Sequence, residues 1–124
     1  MLLMLSKSLK IAFLKLKVLP TLFNFPNDLI LPNENKENYH SYYVYVVRHP
    51  KRKKLMNYLM KNDIFCNISY PFPIHLMKGY SHFNEKNANL NVTESFSKEI
   101  FSLPMYPELN SEKIEKVIKI INNF

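Results

Sequence analysis

The sequence predicts an α+β domain, a small antiparallel sheet with helices packed on one face. Three observations carry that expectation. Ser41 to Arg48, SYYVYVVR, is an unbroken run of β-branched and aromatic residues of strand length. Two later segments, Lys51 to Asn62 and Ser111 to Ile121, place their apolar residues at helical spacing. A length of 124 residues, with 47% hydrophobic and 22% charged, supplies one core and not two.

In the first nineteen residues, MLLMLSKSLKIAFLKLKVL, Leu9, Ala12, Phe13, Leu16 and Leu19 fall on one helical face, with Lys10, Lys15 and Lys17 largely on the other. Lysines interrupt every long apolar run, which excludes a spanning helix of about 20 apolar residues. A secretory signal would put its charge before the apolar stretch, whereas here Met1 to Leu5 come first. An ordinary packing helix is the preferred reading, and a transit-peptide or membrane-surface helix the alternative. Pro20 ends the helix. A proline-containing connector follows to Asn38, with a short extended piece at Leu29 to Leu31, so that residues 1–38 are expected to precede a domain at 39–124.

Both faces of the Ser41 to Arg48 strand are apolar or aromatic, as in a strand covered on two sides or one whose tyrosines meet another domain. His49-Pro50 breaks it. In the helix that follows, Leu55, Met56, Leu59 and Met60 share a face opposite the lysines, and Asn62-Asp63 is a suitable left-handed end. Ile64 to Tyr70 is the second strand candidate, antiparallel to the first. Tyr70-Pro71-Phe72-Pro73-Ile74-His75 is a proline-stiffened loop. Thr93 is a plausible N-cap for a helix from Glu94 to Phe101, and Leu103-Pro104-Met105-Tyr106-Pro107 a second stiff turn. Asn110 or Ser111 caps the last helix, which buries Ile114, Val117, Ile118 and Ile121.

Composition excludes several chemistries. With Gly79 as the one glycine, no glycine-rich phosphate cradle can form. With Cys66 as the one cysteine there is no internal disulfide and no cysteine zinc cluster, and a reducing, cytoplasmic setting fits best. Cys66 lies in a strand candidate and reads as buried, not nucleophilic. His40, His49 and His82 lack metal-ligand spacing and read as exposed polar residues. The net charge of +7 is one-sided: residues 1–62 carry eleven Lys/Arg against three Asp/Glu, and residues 63–124 six against seven. Fifteen of the seventeen cations are lysine, which lacks arginine's planar fork, so nucleic-acid binding is disfavoured against a solvated basic face. Arg48, at the end of a strand, is placed in a surface ion pair in preference to a phosphate contact.

From about His40 to the end, roughly two-thirds of the chain, an ordered series of motifs resembles the C-terminal part of the DegT/DnrJ/StrS family of pyridoxal-phosphate-dependent sugar aminotransferases. The series runs Tyr45-Val46-Val47-Arg48, Lys51-Arg52-Lys53-Lys54-Leu55 with Leu59, Tyr70-Pro71-x-Pro73-x-His75, Val92-Thr93-Glu94, and Leu103-Pro104-Met105-Tyr106-Pro107-Glu108-Leu109. Lys10 to Leu19 loosely matches the helix that precedes the small domain. Where the family usually has glycine stands Asp63, where it has proline before Val92 stands Asn91, and where it often has glutamine stands Met77.

The resemblance implies a large domain that holds the cofactor and supplies the Schiff-base lysine, a motif not found in this sequence. No catalytic or cofactor-binding residue is therefore assigned here. The chain is expected to be the small C-terminal domain, a fragment or split subunit inactive alone, of an enzyme moving an amino group from glutamate to a keto-sugar nucleotide. Its partners would be a separately encoded large domain or a second copy in a homodimer. The resemblance also implies that His75 and Tyr70 face the substrate; the plainer alternative makes Tyr70 a core aromatic and His75 a loop histidine. Two other classes remain open. One is a non-enzymatic module using the basic helix and tyrosine-rich strand on nucleic acid or an anionic surface, and the other is the product of a degenerate gene.

Overall fold

A computed structural model of the chain describes residues 28–33, 35–38, 43–83, 89–106 and 108–124. The basic N-terminal helix expected before Pro20 lies outside the described residues, as do His40 and Tyr42. In chain order the elements are β1 (Tyr45–Arg48), α1 (Arg52–Met60), 3-10 turns at Ile74–Leu76 and Lys78–Phe83, α2 (Asn91–Glu99), β2 (Ile100–Leu103) and α3 (Ser111–Asn122). This is the expected α+β arrangement of an antiparallel sheet and helices. Among the described residues no helix is long and apolar enough to cross a membrane.

The partner of β1 differs from the expectation. β1 pairs antiparallel with β2, in the register Tyr45 to Leu103, Val46 to Ser102, Val47 to Phe101 and Arg48 to Ile100. Ile64 to Tyr70 contributes a single bridge, Asn67 to Ser102, on the far side of β2, and Pro104, two residues past Ser102, has no N–H to extend it in that direction. On the outer side of β1, Ile30 exchanges both backbone hydrogen bonds with Arg48, at 2.8 and 2.9 Å, as the extended reading of Leu29 to Leu31 required. Alternation along the pair sends Tyr45, Val47, Phe101 and Leu103 into the core. Val46, Ile100 and Ser102 turn to the other face.

The core closes between that inner face and two helices. Leu55 and Leu59 of α1 meet Ile114, Ile118 and Ile121 of α3, with Leu29, Ile64 and Leu109 at the edges. Truncating any of the fully enclosed aliphatics would cost about 2–5 kcal/mol. Met60, expected on the buried face of α1, is exposed, and Val117 is only partly covered. Asn110 caps α3, its Oδ1 accepting from the Lys113 N–H at 3.0 Å.

α2 starts earlier and stops sooner than its sequence suggested. Its first residue is Asn91, so Thr93 sits inside the first turn and caps nothing; the Glu94 N–H bonds to the Leu90 carbonyl at 3.0 Å. It ends at Glu99 because Ile100 to Leu103 are taken by β1. The corner between α2 and β2 is held from outside: the Arg52 guanidinium donates from Nη1 to the carbonyls of Ser97 and Ile100, the latter at 3.1 Å. That puts a fixed positive charge at the negative end of α2.

Two backbone sites decide how α1 begins and ends. Asp63 has φ 61°, the positive φ among the described non-glycine residues. The Asp63 N–H bonds to the Met60 carbonyl at 3.1 Å and the Ile64 N–H to the Leu59 carbonyl at 3.0 Å, the paired pattern of a Schellman end with Ile64 packed back onto Leu59. At the other end His49, expected to be exposed, is buried. Its Nδ1 accepts from the Lys51 N–H at 2.9 Å and its ring meets Phe124 edge-on at 5.6 Å, a contact with the chain's last residue that local sequence does not reveal. An accepting Nδ1 requires a neutral ring with its one hydrogen on Nε2.

Asp63→Gly is expected to stabilise the chain by about 0.5–1 kcal/mol, and Asp63→Val to destabilise it by about 1–2 kcal/mol, because the left-handed penalty outweighs the chain entropy of glycine. Urea midpoints measure both. Burial, with help from the Lys51 charge and against the pull of Asp28, holds the His49 imidazole below its ordinary value. The unfolded chain therefore takes up this proton first, and stability falls as pH drops below about 6.5. His49→Asn keeps an acceptor for the Lys51 N–H but cannot titrate. It should be less stable throughout, from lost packing on Phe124, and show a shallower decline between about pH 6.5 and 5. An unchanged slope would assign the decline to other groups.

Candidate functional site

The candidate site is built on the proline-stiffened loop. Pro73 is buried, with φ −59° and ψ 141°, and turns the chain into the 3-10 turn that carries His75. The Leu76 N–H returns to the Pro73 carbonyl and the Met77 N–H to the Ile74 carbonyl, both at 3.0 Å. Two prolines and two turn bonds leave the His75 backbone little freedom.

Packing fixes the side chain as well. His75 retains 17% of its side-chain exposure, and its Nε2 lies 3.1 Å from Glu94 Oε1. Glu94 is in the first turn of α2, and its own carbonyl accepts from Ser97 Oγ at 2.8 Å. In the sequence the residue that orients His75 stands out only within the motif Val92-Thr93-Glu94. What hides the pairing from one-dimensional reading is its separation of 19 residues.

Tyr70, five residues before His75, is 78% exposed and not a core aromatic. Around the two lies an apolar crest: Phe72, Ile74, Leu76 and Val92 are all exposed. Beside it, the outer face of the sheet leaves a hollow of about 70 Å³ among Val44, Val46, Ile68, Tyr70 and Ile100. Exposed apolar side chains gathered on one short loop, as Phe72, Ile74 and Leu76 are, suit a surface that another body covers.

The basic residues divide by type. Both arginines are turned inward: Arg52 to the α2–β2 corner, and Arg48 to Glu99, Nε to Oε2 3.3 Å, with its guanidinium 3.6 Å above the Phe96 ring. The ion pair expected for Arg48 is present and is stacked on an aromatic ring. Lys51, Lys53 and Lys54 remain as an exposed basic face.

The described residues do not fit a pyridoxal phosphate site. Imine chemistry needs a lysine desolvated and aimed at the aldehyde, and every lysine among the described residues is exposed. Nor do those residues bring three His, Cys, Asp or Glu side chains together around a metal position. Cys66 is half-buried, and burial pushes its thiol up to about 11, which leaves little thiolate at neutral pH. A second groove, of about 450 Å³, runs between the Asp63 to Phe65 turn and Tyr106, Leu109, Lys113 and Val117.

Known proteins share this chain's sequence and fold. The chain is 46% identical over 94 residues, 75% of its length, to the dTDP-3-amino-3,4,6-trideoxy-alpha-D-glucose transaminase of Micromonospora megalomicea subsp. nigra, and spans 25% of that relative. The crystal structure of S. venezuelae DesV in complex with a ketimine intermediate superposes with a TM-score of 0.79 at 26% identity, over 90% of this chain and 30% of that one. A DegT DnrJ EryC1 StrS aminotransferase from Brucella abortus gives a TM-score of 0.76 at 27% identity, over 94% of this chain and 30% of that one. The chain therefore spans about a quarter of the length of the curated relatives it matches. Since the family profile itself matches residues 17–122, the chain belongs to the DegT/DnrJ/EryC1/StrS aminotransferase family.

Proposed function

We propose that this chain serves as the small domain of a pyridoxal-phosphate-dependent aminotransferase that moves an amino group from glutamate to a keto-sugar nucleotide. The observation that carries the reading is the His75 loop, held rigid by two prolines and by Glu94 and set in a crest of bare apolar residues. Such a loop contributes a wall to a site and does not make one by itself. Its own residues bind and orient: His75 offers a fixed imidazole to the sugar, and Tyr70 a phenol that both donates and accepts. The cofactor, which supplies the imine chemistry, would sit on a large domain, and the 124 residues alone would not transaminate. The crest at Phe72, Ile74, Leu76 and Val92 is where that large domain would dock, supplied by a separate chain or by a second copy in a homodimer. The identity with a dTDP-sugar transaminase favours a nucleoside diphosphate sugar as the substrate class. A cytoplasmic setting suits the single, half-buried thiol.

Co-expression of the chain with the large domain of the Micromonospora relative tests this. Alone, the chain should give no turnover with pyridoxal phosphate, glutamate and a dTDP-linked keto sugar; together, the two should transfer the amino group. His75→Ala in the pair should lower kcat/KM by about 10-fold or more, the loss of one partly buried hydrogen bond. Association should change little with salt, since apolar surface drives it. A steep log-linear loss with salt would instead mark an anion-binding module. Turnover by the chain alone would overturn the reading.

A further inference from the structure

We propose that Glu94 is a positioning residue that holds the proton of neutral His75 on Nε2, so that Nδ1 meets the ligand as an acceptor and recognises a sugar hydroxyl in preference to a phosphate oxygen. The inference rests on the reading of this loop as a substrate wall and adds to it which atom makes the contact and what kind of group that atom accepts.

The chemistry follows from the donor inventory. A carboxylate oxygen only accepts, so the ring nitrogen 3.1 Å from Glu94 Oε1 must carry a hydrogen for the contact to be a bond. In the neutral imidazole the other nitrogen then has a lone pair and no hydrogen. A phosphate oxygen offers that lone pair nothing, whereas a hydroxyl donates to it. The ring cannot readily turn over to exchange its two nitrogens, because its side chain is largely enclosed and its backbone is fixed by Pro73 and the 3-10 turn.

Glu94 is itself placed by the fold and not by its rotamer alone. It stands in the first turn of α2, the Ser97 hydroxyl bonds its carbonyl, and the far end of the same helix is pinned by Arg52. The helix is thus registered against β2 and α1 before any ligand arrives. A wall built this way spends little conformational entropy on binding.

Two measurements test the inference. In the ¹⁵N-labelled full chain at about pH 8, above the ordinary imidazole range, the His75 Nε2–H should appear as a resolved proton signal protected from solvent exchange. Glu94→Gln, which keeps an acceptor oxygen, should retain it, and Glu94→Ala should lose it to exchange. In the enzyme reassembled with the large domain, His75→Ala and Glu94→Ala should each weaken dTDP-glucose by about 10-fold and leave dTDP unchanged, with the double variant no weaker than either single one. Glu94→Gln should stay within about 3-fold of the native protein. An Nε2–H signal indifferent to Glu94→Ala overturns the positioning role. Equal weakening of dTDP and dTDP-glucose overturns the hydroxyl assignment. If His75→Ala leaves dTDP-glucose binding unaltered, the substrate-wall reading fails and the ligand assignment with it, while the proton signal still reports separately whether Glu94 holds the ring.

Discussion

The arrangement of this domain depends on where one guanidinium sits. Arg52 opens α1, and its Nη1 reaches across to two carbonyls at the α2–β2 corner, Ser97 and Ile100. Three elements meet there. Pairing with β1 decides which residues form β2, and the corner fixes the end of α2 against that strand. It also sets the direction of α2, whose first turn carries Glu94. A charged donor shared between two carbonyls is worth about 1.5–3 kcal/mol in stability, but its geometric consequence is larger. Lysine, a single point charge on a flexible stem, does not hold a corner in the same way.

A second arginine, four residues earlier, repeats the strategy. Arg48 ends β1, pairs with Glu99 and lies over Phe96, so the last turn of α2 is gripped from both β1 and α1. With both arginines engaged in this way, the positive charge left facing outward on α1 is lysine alone. Hydrated ammonium groups give such a face solubility more readily than recognition. The one-sided charge of the sequence is thus compatible with a domain whose binding surface is apolar.

Much of this was legible in the residues. The β1 strand, both long helices, the left-handed end at Asp63 and the stiff loop before His75 each follow from local chemistry: β-branching, helical spacing, a side chain that tolerates positive φ, and fixed proline torsions. What was not legible depends on partners far along the chain. Ile100-Phe101 reads as the end of a helix and Leu103 as the start of a stiff turn, and the four residues 100–103 become a strand only because β1 supplies the matching edge. His49 reads as polar and exposed until Phe124 is folded over it. In the candidate site the loop and its histidine stand out by their prolines, but the bond that orients the imidazole comes from a glutamate that reads, locally, as an ordinary first-turn acid.

These facts together explain a division of labour among the polar groups. The directional ones are used internally: arginine on carbonyls, glutamate on imidazole, asparagine and histidine at helix starts. The arginine and the glutamate fix one element against another, and the asparagine and the histidine fix where a helix begins. What then faces outward around the loop is apolar surface with one oriented imidazole and one phenol. An apolar surface is non-directional and tolerates any partner of complementary shape, so by itself it would give affinity without selectivity. Selectivity at such a surface has to come from the few polar atoms whose direction is set in advance. Of those on the crest, His75 is the one whose ring the fold both encloses and hydrogen-bonds, and for that reason it, more than the exposed phenol of Tyr70, is where discrimination between ligands would be decided.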